Sequence, residues 1–170
     1  AASDVYKRQV HEISHGVMAY ICGDNTAKNY GRLSLNPLHH LDPLGTIFPI
    51  LLILSGSSFV FGWAKPVPIN YYRLKYGRLG EFLVAIAGVL SNILLAIIGM
   101  FLFKHFYELL APLHLLEPVL YMISLNILLA VFNIIPIPPL DGSRVLASIG
   151  SYDLRDSIFH MDRYGICLLY

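Results

Sequence analysis

From Leu83 to Phe103 the chain is apolar almost without interruption, and Glu81 and Lys104 flank the run. That length suffices for a helix crossing about 30 Å of hydrocarbon. Val119–Ile135 repeats the pattern, after a short connection at 104–118. Pro136-Ile137-Pro138-Pro139 then breaks the second run, and Leu140-Asp141-Gly142 follows. Leu44–Trp63 is also apolar, but Pro49 and Ser55-Gly56-Ser57-Ser58 interrupt it. Such a stretch either spans or dips in and returns. Upstream, Val5–Cys22 predicts a helix too short to cross the bilayer, closed by turn residues at Gly23–Lys28. Between Tyr30 and Asn36, Leu33 and Leu35 alternate with Arg32, Ser34 and Asn36, which predicts a short strand. The expected fold is therefore an all-α polytopic membrane protein, a core of transmembrane helices with one short membrane-associated β segment.

Composition agrees with that class. Of 170 residues, 56% are apolar and 14% charged, and mean hydropathy is +0.61. A soluble domain carries about a quarter charged residues. The net charge of +1 offers nothing to nucleic acid. Cys22 and Cys167 lie far apart in apolar surroundings and form neither a ligand pair nor a disulfide framework. Both ends read as incomplete: residues 1–9 as a truncated or foreign N-terminus, residues 165–170 as the first turns of a further helix. Residues 10–165 remain as the core. The loop at 64–80 holds Lys65, Arg73, Lys75 and Arg78, and short basic loops favour the cytoplasmic side. Asp141 then lies near the cytoplasmic face.

Chemistry enters with His11-Glu12-Ile13-Ser14-His15, an H-E-x-x-H run. Residues four apart on a helix share a face, so both imidazoles reach one metal ion, and Glu12 lies where it takes a proton from water. Hydrolytic zinc usually has three protein ligands and one open position. Asp141 is the best third candidate, because an acid at the proline-broken end of a spanning segment is costly unless a partner compensates it. Alone, the H-E-x-x-H run is often accidental, and the broken helix end would pass as an interfacial turn. Their joint occurrence in a membrane protein is what points to a metal. His39, His40, His105, His114 and His160 sit in loops or at expected membrane edges, where a solvated imidazole needs no special role.

These segments resemble the three signatures of site-2 proteases, the zinc-dependent intramembrane metalloproteases: HEISH, AGVLSN (Ala87–Asn92) and NIIPIPPLDG (Asn133–Gly142). The loop segments GRLSLNPLHHLDPLGT and FGWAKPVP are similar to those of the compact bacterial and archaeal branch, and the resemblance covers about residues 10–165. It implies one zinc per chain on His11, His15 and Asp141, with Glu12 as catalytic base. It also implies that Asn92, Asn133, Pro136 and Pro138 help to hold the substrate. Val89 stands where the middle signature often has proline, and 104–118 is too short for the PDZ domain of other branches.

The implied function is hydrolysis of peptide bonds in membrane-spanning protein substrates, within the bilayer of a bacterial or archaeal cell membrane and near its cytoplasmic side. His11 and Asp141 share one depth, so 44–63 is re-entrant if 23–43 and 64–80 are both cytoplasmic, whereas a true span there would require His11 near the start of its helix. The strand at Tyr30–Asn36 offers an edge for an unwound substrate. Two alternatives belong to other classes. A catalytically silent relative that binds membrane helices would most simply have lost Glu12, and a membrane metal carrier would place ligands along a path rather than at one point.

Overall fold

The computed structural model describes residues 2–34 and 67–161. Seven α-helices occur among them: α1 (Ala2–Ile21), α2 (Thr26–Asn29), α3 (Arg78–His105), α4 (Tyr107–Leu110), α5 (Leu116–Asn133), α6 (Asp141–Ile149) and α7 (Tyr152–Met161). A single 3-10 turn at Tyr71–Arg73 precedes α3. The all-α expectation is met, and α3 and α5 are the two described helices long and apolar enough to cross a membrane.

Helix α3 is the hub, packing against α1, α5 and α6. Its 28 residues run roughly 42 Å at 1.5 Å each, well beyond the hydrocarbon thickness. Its partners meet it along a face of small and medium residues, Gly80, Val84, Ala85, Ala87, Gly88, Asn92, Ala96 and Gly99, all buried. Leu90, Leu94, Ile97 and Phe101 are exposed, as a lipid-facing stripe requires. At Gly99 an added Cβ would lie 2.6 Å from Met122 Cε and 2.7 Å from Ile123 Cγ1, so glycine there sets the α3–α5 spacing.

Helix α1 ends in a Schellman motif. Asp24 N–H donates to Ala19 O and Gly23 N–H to Tyr20 O, with Gly23 at φ +102° where a side chain would be strained. Beyond it Asp24 is fully buried, accepting from Thr26 N–H and from Asn70 N–H at 2.7 Å. That carboxylate ties the end of α1 to the segment entering α3. A small core of Ala19, Cys22, Leu74 and Val84 fills the space between them.

Two expectations change. Over Tyr30–Ser34 the backbone is turn and irregular rather than strand, because Gly31 takes φ +64° and breaks the extended path that the alternation suggested. Leu35, Asn36, the 44–63 segment and residues 165–170 lie outside the described residues. The spanning helix also begins at Arg78, five residues before its apolar run. Glu81 is buried within it and accepts two hydrogen bonds from Arg155 of α7, 3.2 Å from Nε and 2.6 Å from Nη2. The carboxylate raises the already high pKa of the guanidinium by hydrogen bonding, so Arg155 stays charged. Arg78 Nη1 donates to Gly150 O at 2.8 Å and its guanidinium covers the Tyr152 ring at 4.2 Å. These contacts fasten α6 and α7, which the sequence pattern did not announce, to the start of α3.

Glu81→Ala leaves Arg155 charged and unpaired, and should destabilise the chain by about 3 kcal/mol, the low end for a broken buried pair because Arg155 is partly exposed. Thermal unfolding in detergent measures this. The double variant Glu81→Leu, Arg155→Met should recover most of the loss, and an equally unstable double variant would show that the pair itself is not the cause.

Candidate metal centre

Three side chains from two distant parts of the chain meet at one point. His11 Nε2 is 3.0 Å and His15 Nε2 3.2 Å from Asp141 Oδ2, and the two nitrogens are 3.1 Å apart. The histidines come from successive turns of α1, and their rings stand edge to face at 4.7 Å. Asp141 opens α6, directly after the proline-rich turn that follows α5. Gly142 makes that position possible: an added Cβ would lie 2.1 Å from Ile134 O and 2.5 Å from Ile135 O. Only a residue without a side chain lets the turn fold so closely over the start of α6. Ser143 Oγ then donates to Leu140 O at 2.7 Å, and the Pro138–Pro139 bond is cis.

The donor set fits a zinc ion. Ligand atoms 2.0–2.1 Å from a tetrahedral ion stand roughly 3.3 Å apart, close to all three edges of this triangle. Asp141 Oδ2 is buried beside two imidazole nitrogens yet forms no well-directed hydrogen bond, which leaves its lone pairs for another acceptor of electrons. The His15 tautomer is fixed by its other nitrogen: Val84 O can only accept, so Nδ1–H donates to it at 2.7 Å and Nε2 keeps its lone pair. Among the described residues no other cluster of His, Cys, Asp or Glu is arranged this way. His105, His114 and His160 are exposed and away from the centre, and His39 and His40 lie outside the described residues.

Glu12 follows His11 and is half-buried, with Val67 N–H 3.4 Å from its Oε2. The segment that starts at Val67 lies against α1 one turn further on, where a Cβ at Gly16 would meet Val67 Cγ1 and Leu33 Cδ2, each at 2.8 Å. The four expected substrate-holding residues separate. Asn133 closes α5 and donates through Nδ2 to Leu129 O at 2.9 Å, Pro136 is exposed, and Pro138 is buried. Asn92 is fully enclosed, with Nδ2 3.1 Å from His11 Nδ1, so it meets the histidine rather than an open face. Val89 continues a regular helix, and the residue that matters beside it is Gly88. A Cβ there would stand 2.4 Å from His15 Nε2 and 2.6 Å from His11 Cε1. The backbone of α3 thus forms one wall of the centre. Glycine inside an apolar run gives no such signal without knowledge of what packs on it.

The model of "Peptidase family M50" matches residues 104–157. The chain is 43% identical over 162 residues to "Putative zinc metalloprotease YwhC" of Bacillus subtilis, covering 92% of this chain and 71% of that protein. It is 28% identical over 136 residues to "Putative zinc metalloprotease Rip2" of Mycolicibacterium smegmatis, and 31% identical over 140 residues to its namesake in Mycobacterium tuberculosis. Those alignments cover 78% and 81% of this chain but 50% and 51% of the two relatives. No solved structure matches the chain. Identity at this level over nearly the whole chain means that it belongs to peptidase family M50, the site-2 type of zinc-dependent metalloendopeptidase.

Proposed function

We propose that this protein hydrolyses peptide bonds of membrane-spanning protein substrates inside the bilayer, near its cytoplasmic side. In this reading His11, His15 and Asp141 hold one zinc ion and Glu12 is the catalytic base. The observation that carries it is the convergence of the three ligand atoms against the wall of a span-length helix. Val84, Gly88 and Asn92 of α3, which face the histidines, lie roughly 9–21 Å along the helix axis from Arg78. That depth is within the hydrocarbon, in the half nearer the basic 64–80 loop, and the bias of Lys and Arg toward the cytoplasm supports the orientation.

Held by His11, His15 and Asp141, a zinc ion would supply Lewis acidity that lowers the pKa of water to near 7. Glu12 takes the proton released as water attacks the scissile carbonyl and delivers it to the leaving amine. The Val67 N–H, 3.4 Å from Oε2, helps to orient the carboxylate. Asn133 and Pro136 stay available to a substrate at the mouth of the turn, whereas Pro138 acts from beneath by shaping it. A helical substrate hides its carbonyls in its own hydrogen bonds and must unwind before it reaches Glu12. Gly, Pro or Asn in the cytoplasmic third of the substrate helix should therefore raise the cleavage rate over an all-Leu version, because each lowers the cost of leaving the helix.

Asp141→Ala should remove zinc from the purified protein together with cleavage of a transmembrane test substrate. Full zinc occupancy in that variant would take Asp141 out of the ligand set. Mass spectrometry of the products locates the cut, and cuts clustered at the outer face would refute the orientation.

A further inference from the structure

We infer that Asn92 is the positioning residue for His11, accepting a hydrogen bond from Nδ1–H and so fixing Nε2 as the metal-binding atom; this rests on the ligand set proposed above. A neutral imidazole carries one N–H and one lone pair. His11 Nε2 points at Asp141 Oδ2 and His15 Nε2, so binding there requires the proton on Nδ1. The group facing Nδ1 is the Asn92 carboxamide, 3.1 Å away and fully buried in the middle of α3. With Nδ2 turned toward Nδ1–H, two donors would oppose each other, while Oδ1 is buried with no partner among the described residues. A carboxamide has the same shape either way round. Reversed, its Oδ1 accepts from Nδ1–H, and an opposed pair becomes a hydrogen bond.

The arrangement then parallels His15, whose Nδ1–H donates to Val84 O. One histidine is oriented by a backbone carbonyl of α3 and the other by a side chain two turns further along the same helix. An asparagine inside an apolar span is costly without a partner, and here the partner is a ligand rather than a substrate. Groups that accept from the second nitrogen of a ligating histidine typically alter metal affinity 10–100-fold when removed.

Three variants in detergent micelles test this through zinc affinity, measured by competition with a chromophoric chelator. Asn92→Leu keeps the volume but removes the acceptor, and should weaken zinc binding about 10–100-fold. Asn92→Asp keeps an acceptor of the same shape and should bind zinc as tightly as the parent or more so. Asn92→Ala should resemble Leu. A merely structural role gives the opposite order, since a buried carboxylate would harm packing more than leucine does. Parent-like affinity in Asn92→Leu, or weaker binding by Asp than by Leu, overturns the inference. If the Leu variant does not fold, Asn92→Asp still decides: retained affinity supports the acceptor role and a 10-fold loss refutes it. Nitrogen-15 histidine spectra of the zinc-loaded parent should show a protected Nδ1–H on His11. Failure of the parent chain to bind zinc would overturn the metal reading itself, whereas normal binding by the parent and all three variants would overturn this inference alone.

Discussion

Gly88→Ala should lose zinc and activity together, with affinity falling by more than about 100-fold, beyond what outer contacts to a ligand usually contribute. The methyl group would stand 2.4 Å from the atom of His15 that faces Asp141 and 2.6 Å from the ring of His11. Neither ring can retreat easily, since the Nδ1 of each is held, His15 by Val84 O and His11 by Asn92. Gly99→Ala is the control. Its methyl meets the end of Met122 and Cγ1 of Ile123, both away from the ligands, so it should cost about 1–3 kcal/mol of stability through overpacking and leave zinc binding intact. Metal analysis of both purified variants makes the comparison, and normal zinc content in Gly88→Ala would show that the helix wall is not as close as described.

Glu12→Gln has a comparably large expected effect but a different signature. The amide cannot take a proton from water, and general base catalysis typically contributes about 10²–10⁴-fold. Cleavage of a transmembrane substrate should fall by that factor while zinc content stays at the parental level, because Glu12 is absent from the triangle of ligand atoms. A silent helix-binding relative or a metal carrier would lose nothing in this variant. Retained cleavage, in a preparation free of other proteases, would remove Glu12 from the mechanism.

The candidate metal centre was legible in the sequence because its chemistry is written in short range: two histidines at helical spacing, an acid beside them, and an aspartate at a proline break. The two span-length helices were legible for a related reason, since apolar runs as long as Leu83–Phe103 and Val119–Ile135 have few alternatives. What escaped detection depends on contacts between distant positions. Arg78 and Glu81 look like the polar edge of a span until Arg155 and Gly150 are seen to complete them, and then α3 extends five residues further. Gly88 reads as one more small residue in an apolar run. Asn92 did carry a signal, an amide where lipid or protein must surround it, but its partner is 81 positions away on α1. The strand expected at Tyr30–Asn36 failed over its described part for a local reason. Alternation over so few residues is weaker than one glycine with positive φ.

The proposed ligand atoms belong to residues about 130 positions apart, one group on α1 and the other on α6. An ion held by both is a reversible cross-link that closes most of the chain into a loop, so its binding is linked to folding by mass action. Free zinc at 100 times its dissociation constant should stabilise the chain by about 2.7 kcal/mol, so the unfolding temperature should climb with the metal concentration. Withdrawal of zinc by a chelator would then do more than stop turnover. It would release α1 from α6 and let proteases reach the chain, making cellular zinc supply a determinant of how long each molecule survives.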